Sequence, residues 1–409
     1  MSEIKKFTLY QKFVIAMLAF LQFTIILDFM IISPLGAVLM PALKISPAQF
    51  GLVVSAYAFS AGASGLLAAG FADRFDRKKM LLFFYVGFLL GTLVCGMAPD
   101  YPLLLAARIV TGIFGGVIGS IVMAISADLF AYEQRGRVMG ILQTAFGASQ
   151  ILGIPAGLYF SSVWGWHAPF LMIVAIGALV GLLIFYNLRP VTEHLKIKSE
   201  KSPFAHLLAT VKVPRFLLAF ANTALLTTGA YMMMPFGTTF AVNNLEIPFT
   251  SLPILYLVTG LMSMLIGPLI GRSTDRFGKF PVFAFGACFT IPMVLIYTHM
   301  GPSPLWLLII VQTLFFIGIF SRTIPSQALT SALPTPDRRG SFMAVNSSLQ
   351  QVSGGLSSLV AGLIVVEGPG GKLEHFDTLG YILAVIVFTT IFLTYQIKLI
   401  VEKPGNKPN

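Results

Sequence analysis

Residues 11–40 read QKFVIAMLAFLQFTIILDFMIISPLGAVLM, a long apolar run with one carboxylate, Asp28, whose nearest charged neighbours are Lys12 and Lys44. A run of about 20 apolar residues crosses the hydrocarbon of a bilayer as a helix. A charge near its middle costs roughly 2.5 to 3.5 kcal/mol on insertion scales, so Asp28 is a functional-site candidate whose partner has to be found. The run is too long for a signal peptide and lacks a small-residue cleavage site after a short core, which makes it a retained span.

The rest of the chain is built in the same way. Of its 409 residues 56% are hydrophobic and 11% charged, outside the range of water-soluble domains. Twelve runs are long enough to span, at about 12–40, 49–70, 80–98, 102–127, 138–162, 167–187, 214–243, 249–271, 281–300, 304–332, 340–366 and 378–400. Short loops between them make sequence neighbours antiparallel neighbours in space. The one substantial polar connection contains EHLKIKSEKSP, residues 193–203, and divides the runs into six and six. The expected organisation is a helical bundle over 1–187, a cytoplasmic linker over 188–213 and a second bundle over 214–409.

A net charge of +11 raises the question of a nucleic-acid partner, and the position of the charges answers it. With the N-terminus in the cytoplasm, 23 of the 27 Lys and Arg fall in cytoplasmic segments; Lys44 and Lys372 fall outside, and Arg108 and Arg322 within spans. That asymmetry is the one that orients membrane proteins, so both termini are expected in the cytoplasm, the chain in the cell (inner, cytoplasmic) membrane, and no nucleic acid is required. Cys95 and Cys288 each sit inside an apolar run and are expected as small buried hydrophobes, not a disulfide. The five His are scattered singly, without metal-ligand spacing, and Gly271 to Lys279 lacks the spacing of a phosphate-binding loop. Neither metal, cofactor nor enzymatic chemistry is expected, and energy for pumping would come from a gradient or a separate partner.

The two halves repeat. Ala72-Asp73-Arg74-Phe75-Asp76-Arg77-Lys78 follows the second run and Thr274-Asp275-Arg276-Phe277-Gly278-Lys279 the eighth; Glu133-Gln134-Arg135-Gly136 follows the fourth and Asp337-Arg338-Arg339-Gly340 the tenth. The offsets, 202 and 204 residues, agree. A tandem repeat of one topology is a transporter architecture.

These loops resemble the signature loop of the major facilitator superfamily, and the resemblance covers essentially the whole chain. It implies an all-α membrane protein with twelve transmembrane helices in two pseudo-symmetric six-helix bundles. The second copy fits the loop pattern fully from Gly271 to Lys279. The first has Ala69 for the leading Gly and Asp76 for the turn Gly, where Asp is expected to keep the left-handed turn. In the fifth run Gly147, Gly153, Pro155 and Gly157 look like the antiporter motif of drug:proton antiporters, with Ile154 and Ala156 departing from it. Gly153 and Gly157 share a helix face that admits a neighbouring helix, and Pro155 kinks the span, whether for antiport or for packing alone.

In that family the first, fourth, seventh and tenth spans line a central cavity. The resemblance therefore gives weight to Asp28 and Arg108 for proton coupling, and to Arg322, Asn222, Tyr231 and Met233 for substrate, with Gln143, Gln150, Asn346 and Gln350 added from the fifth and eleventh spans. Gln312, Ser326 and Thr330 share a helical stripe with Arg322. Asn and Gln in spans also serve to join helices, and the Met232-Met233-Met234 run could equally be core. Asp73, Arg74, Arg77, Asp128, Asp275, Arg276 and Gly278 are the gating candidates. Asp73 is expected at the start of the eleventh span near Gly340 and Ser341, where free N–H groups favour a carboxylate, and Asp128 beside Arg74 or Arg77. Asp28 is expected to pair with Arg108, leaving Arg322 uncompensated, or with Arg322 across the cavity. The resulting reading is a monomeric, proton-coupled antiporter in the lipid bilayer exporting small amphipathic molecules by alternating access, or an exporter or facilitator of sugars, metabolites or lipids without proton coupling.

Overall fold

The computed structural model describes residues 7–68, 75–130, 132–192, 210–334 and 339–402. Among these, eleven helical segments are long and apolar enough to cross a membrane. The chain forms α1 (Leu9–Leu43), α2 (Pro47–Ala68), α3 (Arg77–Met97) and α4 (Tyr101–Leu129). The fifth span is broken into α5 (Tyr132–Ala148), a π-turn at Ser149–Gly153 and α6 (Ile154–Trp164), and α7 is Ala168–Asn187. The seventh span is broken as well, into α8 (Pro214–Met233) and α9 (Gly237–Asn243). Then follow α10 (Leu252–Phe277), α11 (Lys279–Thr298), α12 (Leu305–Ser331), α13 (Arg339–Ile364), a hairpin of β1 (Val366–Glu367) and β2 (Leu373–Glu374), and α14 (Phe376–Val401).

Helix ends follow local chemistry. Thr8 and Gln11 close a reciprocal capping box at the start of α1, and Lys44 ends it in the left-handed region at φ 52°. Asp100 accepts from Leu103 N at 3.0 Å to start α4. The two copies of the repeated loop end differently. Gly278 turns the chain between α10 and α11 at φ 92°, whereas Asp76 is not left-handed, contrary to expectation, and has φ −55°. Its carboxylate caps α3 instead, accepting from Lys78 N at 2.8 Å, and accepts from Val191 N at 3.2 Å. A carboxylate can satisfy orphan N–H groups, which the glycine it replaces cannot.

The eleventh expected span, 340–366, is helical as α13 but is more polar than the other spans and is not among the eleven apolar enough to cross a membrane by composition alone. Its Ser353, Ser357 and Ser358 are buried. The helix lies between α2 and α8; Ser357 and Ser358 bond back to their own helix, and Ser358 also donates to Tyr231 O of α8 at 3.3 Å.

The helices before the linker pack α2 and α3 on α4, α3 on α7 and α1 on α5 and α7; those after it pack α8 on α13 and α14, α11 on α12 and α14, and α10 on α12. The groups meet along α2 and α13, along α6 and α10, and where α1 touches α9. Because neighbouring spans alternate in direction, Gly36, Gly51, Phe236, Thr239 and Gly362 lie toward the end of the bundle opposite the N-terminus, here the far end. A Cβ on Gly51 would meet the backbone at Ser358 O, 2.7 Å away, so glycine there lets α2 and α13 close, while one on Gly36 would crowd the side chains of Phe50 at 2.9 Å and Thr239 at 3.1 Å.

Candidate functional site

A cavity of about 280 Å³ lies between the two groups. Phe29, Met30 and Ser33 of α1, Gln150 of the π-turn, Tyr231 and Met233 of α8, Tyr256 and Thr259 of α10, Tyr297 of α11 and Gln312 and Phe315 of α12 line it. The breaks in the spans shape this wall. Pro155, in the first turn of α6, has no N–H to offer the preceding turn, and the π-turn before it places Gln150 at the cavity. The break at Met234-Pro235 is held from outside the helix: Tyr297 donates to Gly237 O at 3.2 Å, and the hydroxyls of Thr238 and Tyr256 are 2.7 Å apart. The wall is predominantly apolar and aromatic, with a few polar groups converging, as in small-molecule pockets generally.

Behind this wall, inside the first group of helices, Arg108 Nη1 donates to Asp28 Oδ2 at 2.8 Å and Thr92 Oγ1 to Asp28 Oδ1 at 3.0 Å. Neither side chain of the pair is exposed at all. Arg108 Nε and Nη2 are buried without an acceptor, and the Tyr57 ring covers the guanidinium at 4.5 Å. Removing either charge from such a pair strands the other in a medium that cannot solvate it. From Tyr57 the contact continues to Phe29, 5.4 Å between ring centroids, and from Phe29 to Tyr231 at 5.8 Å. Thus the Tyr57 ring stands between the ion pair and Phe29 of the cavity wall, and Phe29 in turn between Tyr57 and Tyr231 of the second group of helices.

Arg322 lies elsewhere, in the second group. It is 4% exposed, its Nε has no acceptor, and it forms no ion pair among the described residues. With Leu226, Gly229, Ala230, Phe315 and Ile319 it borders a small void, and three of these, Ala230, Phe315 and Ile319, also line the main cavity.

The other candidates separate clearly. Tyr231, Met233 and Gln150 line the cavity, whereas Gln143, Asn346, Gln350 and Asn222 do not. Gln143 is exposed; Asn346 and Gln350 are half-buried, with Asn346 Oδ1 unpartnered. Asn222 is fully buried in a bond network, donating to Ser326 at 3.0 Å and accepting from Thr394 at 3.2 Å. Of the gating candidates, Arg77 stands 3.3 Å from Asp128, Asp275 is exposed and Arg276 lies over the Phe277 ring at 5.2 Å. Asp73, Arg74 and the contact expected between Asp73 and Gly340 lie outside the described residues. Cys95 is buried, 3.8 Å from Thr111 Oγ1, but Cys288, expected buried, is on the exposed face of α11. Phe29, Tyr256, Tyr297 and Phe315 were not singled out by sequence reasoning, although tyrosines within apolar runs are a signal of polar tips needing partners.

The family described as Major Facilitator Superfamily matches residues 18–358. An uncharacterised MFS-type transporter of Bacillus subtilis, YceJ, is 26% identical over 380 residues, covering 91% of this chain and 95% of its own length. Multidrug resistance protein 3 of the same organism is 32% identical over 153 residues, 37% of this chain and 29% of that protein. The crystal structure of a bacterial homologue of the human lysosomal transporter Spinster, inward-facing and occupied, superposes with a TM-score of 0.78 at 16% identity, covering 96% of this chain and 98% of that one.

Proposed function

The chain belongs to the major facilitator superfamily of membrane transporters, and from that premise we propose that it is a proton-coupled antiporter exporting small amphipathic molecules by alternating access. The observation that carries this reading is the Asp28–Arg108 pair, sealed from solvent yet joined to the cavity wall through Tyr57 and Phe29. A carboxyl in such a place is bistable: the buried cation holds it ionised, and separation from that cation within the apolar interior favours a proton. A rearrangement of α1 against α4 that parts the two groups would load a proton, and its reversal would release it.

Export is the direction suggested by the name of the multidrug resistance relative. Both termini are assigned to the cytoplasm, in the cell membrane, because 23 of 27 basic residues then lie on that side. In this orientation the far end, where the two groups of helices touch at Gly51 and Gly362, faces outward. The protein acts as a monomer, each copy having its own cavity, with Arg77 and Asp128 among the groups that gate the inner side.

Purified protein in proteoliposomes under an imposed pH gradient tests the reading: efflux accelerated by an inward proton gradient, with proton uptake on adding substrate, is the expected result. Transport indifferent to the gradient would make the Asp28–Arg108 pair a permanent structural lock and the chain a facilitator or exporter without proton coupling.

A further inference from the structure

We propose that the cavity selects amphipathic organic anions, an aromatic or aliphatic body carrying one carboxylate, and that Arg322 is the residue that binds the carboxylate. This rests on the reading of the chain as a transporter and specifies its substrate class. Three observations lead to it. First, both ionised partners that could have neutralised one another across the cavity do not: Asp28 is taken by Arg108, within the first group of helices, at 2.8 Å. Second, among the described residues the cavity wall contains no carboxylate; its polar groups are hydroxyls and the amides of Gln150 and Gln312. Third, Arg322 is nearly fully buried, has an Nε without an acceptor, and pairs with no acid among the described residues.

The acids described in the second group of helices, Glu246, Asp275, Glu367, Glu374, Asp377 and Glu402, all stand at helix ends, in a loop or in the β1–β2 hairpin, while Arg322 stands well inside α12. A buried guanidinium is costly unless an anion or hydrogen-bond acceptors compensate it. The bordering void is where an acceptor would enter. It adjoins the main cavity through Ala230, Phe315 and Ile319, and Gly229 keeps it free of a side chain, a Cβ there standing 3.8 Å from Arg322 Nη2. A carboxylate placed against the guanidinium fork would leave its body among Phe315, Phe316, Ile319 and Met233. A cationic amphiphile would meet the same fork with like charge.

The test uses ω-phenylalkanoates of increasing chain length with their isosteric amides and amines, titrated calorimetrically into the purified full-length protein at one pH. The carboxylates should bind roughly tenfold to a hundredfold tighter than the amides, the amines weakest. Arg322→Gln should reduce the carboxylates to the level of the amides, and Arg322→Lys should retain part of the preference. Ile319→Glu, which supplies an internal anion one turn away, gives a second route to the same loss should Arg322→Gln fail to fold. Amines binding as well as carboxylates, no carboxylate of the series binding, or a carboxylate preference that survives both Arg322→Gln and Ile319→Glu would overturn the proposal. Binding at fixed pH needs no proton flux, so failure here is distinct from failure of coupling in the Asp28 variants.

Discussion

Leu27 occupies the space that a side chain on Gly153 would take, its Cδ1 standing 2.7 Å from where a Cβ would be built. One turn along both helices, Ile31 Cδ1 stands 2.8 Å from the corresponding position on Gly157. Leu27 immediately precedes Asp28, so two glycines of the fifth span set how closely α1, which carries the buried carboxylate, lies against α6. The packing role and the proposed antiport role of these glycines are therefore carried by the same contact.

The glycines should differ in what a methyl costs. At Gly116 a Cβ would run into Ala61 O, backbone that cannot yield without moving α2 from α4, and Gly116→Ala should cost about 1–3 kcal/mol or more. Gly153→Ala meets only the end of a leucine side chain and should cost less. Nothing stands within 4 Å of a Cβ on Gly119, where the alanine should be neutral or stabilise by up to about 1 kcal/mol through helix propensity. Thermal unfolding of the three variants in detergent checks the order; Gly116→Ala melting like wild type would count against it.

Asp28→Leu and Arg108→Leu should each destabilise by about 3–5 kcal/mol, because each strands a buried charge, and the double variant should regain most of that loss. Asp28→Asn should fold yet lose pH-driven transport. If the stabilised double variant still couples substrate movement to protons, the pair has no part in coupling; proteoliposomes and melting curves give the two readouts.

The line where α2 meets α13 should be lockable. A Cβ on Gly355 would stand 3.2 Å from Ala58 Cβ, a few tenths of an ångström short of the usual disulfide spacing of about 3.5–4.5 Å, so a slight parting of the helices would admit the bond. In a Cys288→Ser background, Ala58→Cys with Gly355→Cys should cross-link under a membrane-permeant oxidant and halt transport, and a reductant should restore it. Full transport by the cross-linked protein, verified by mass spectrometry, would mean that this contact does not open during the cycle.

Asn222→Ala should lower stability by about 1–3 kcal/mol, since it leaves Ser326 and Thr394 without their partner, and should leave substrate affinity unchanged. Gln150→Ala should do the reverse, because Gln150 lines the cavity. The comparison is read from melting temperature and binding affinity measured on the same preparations; an Asn222 variant that loses affinity without losing stability would place it at the substrate after all.

The division of labour between sequence and structure follows from what each kind of pattern encodes. Span positions, the tandem repeat and the transporter fold were legible because hydrocarbon imposes length and apolarity on each helix separately, and a repeated loop needs no partner to be recognised. Among the described residues, the one expected span not apolar enough to cross a membrane by composition alone, α13, has Ser353, Ser357 and Ser358 buried. Asp28 and Arg108, 80 residues apart, could each be marked as costly in a membrane from sequence, but whether Asp28 pairs with Arg108 or with Arg322 depends on how α1 is rotated and how closely it approaches α4. The same holds for Asn222 and Gln150. Both are polar residues in apolar runs, and only the orientation of their helices turns one into a bond network and the other toward a cavity, because a buried polar group is satisfied equally by a neighbouring helix or by what enters a pocket.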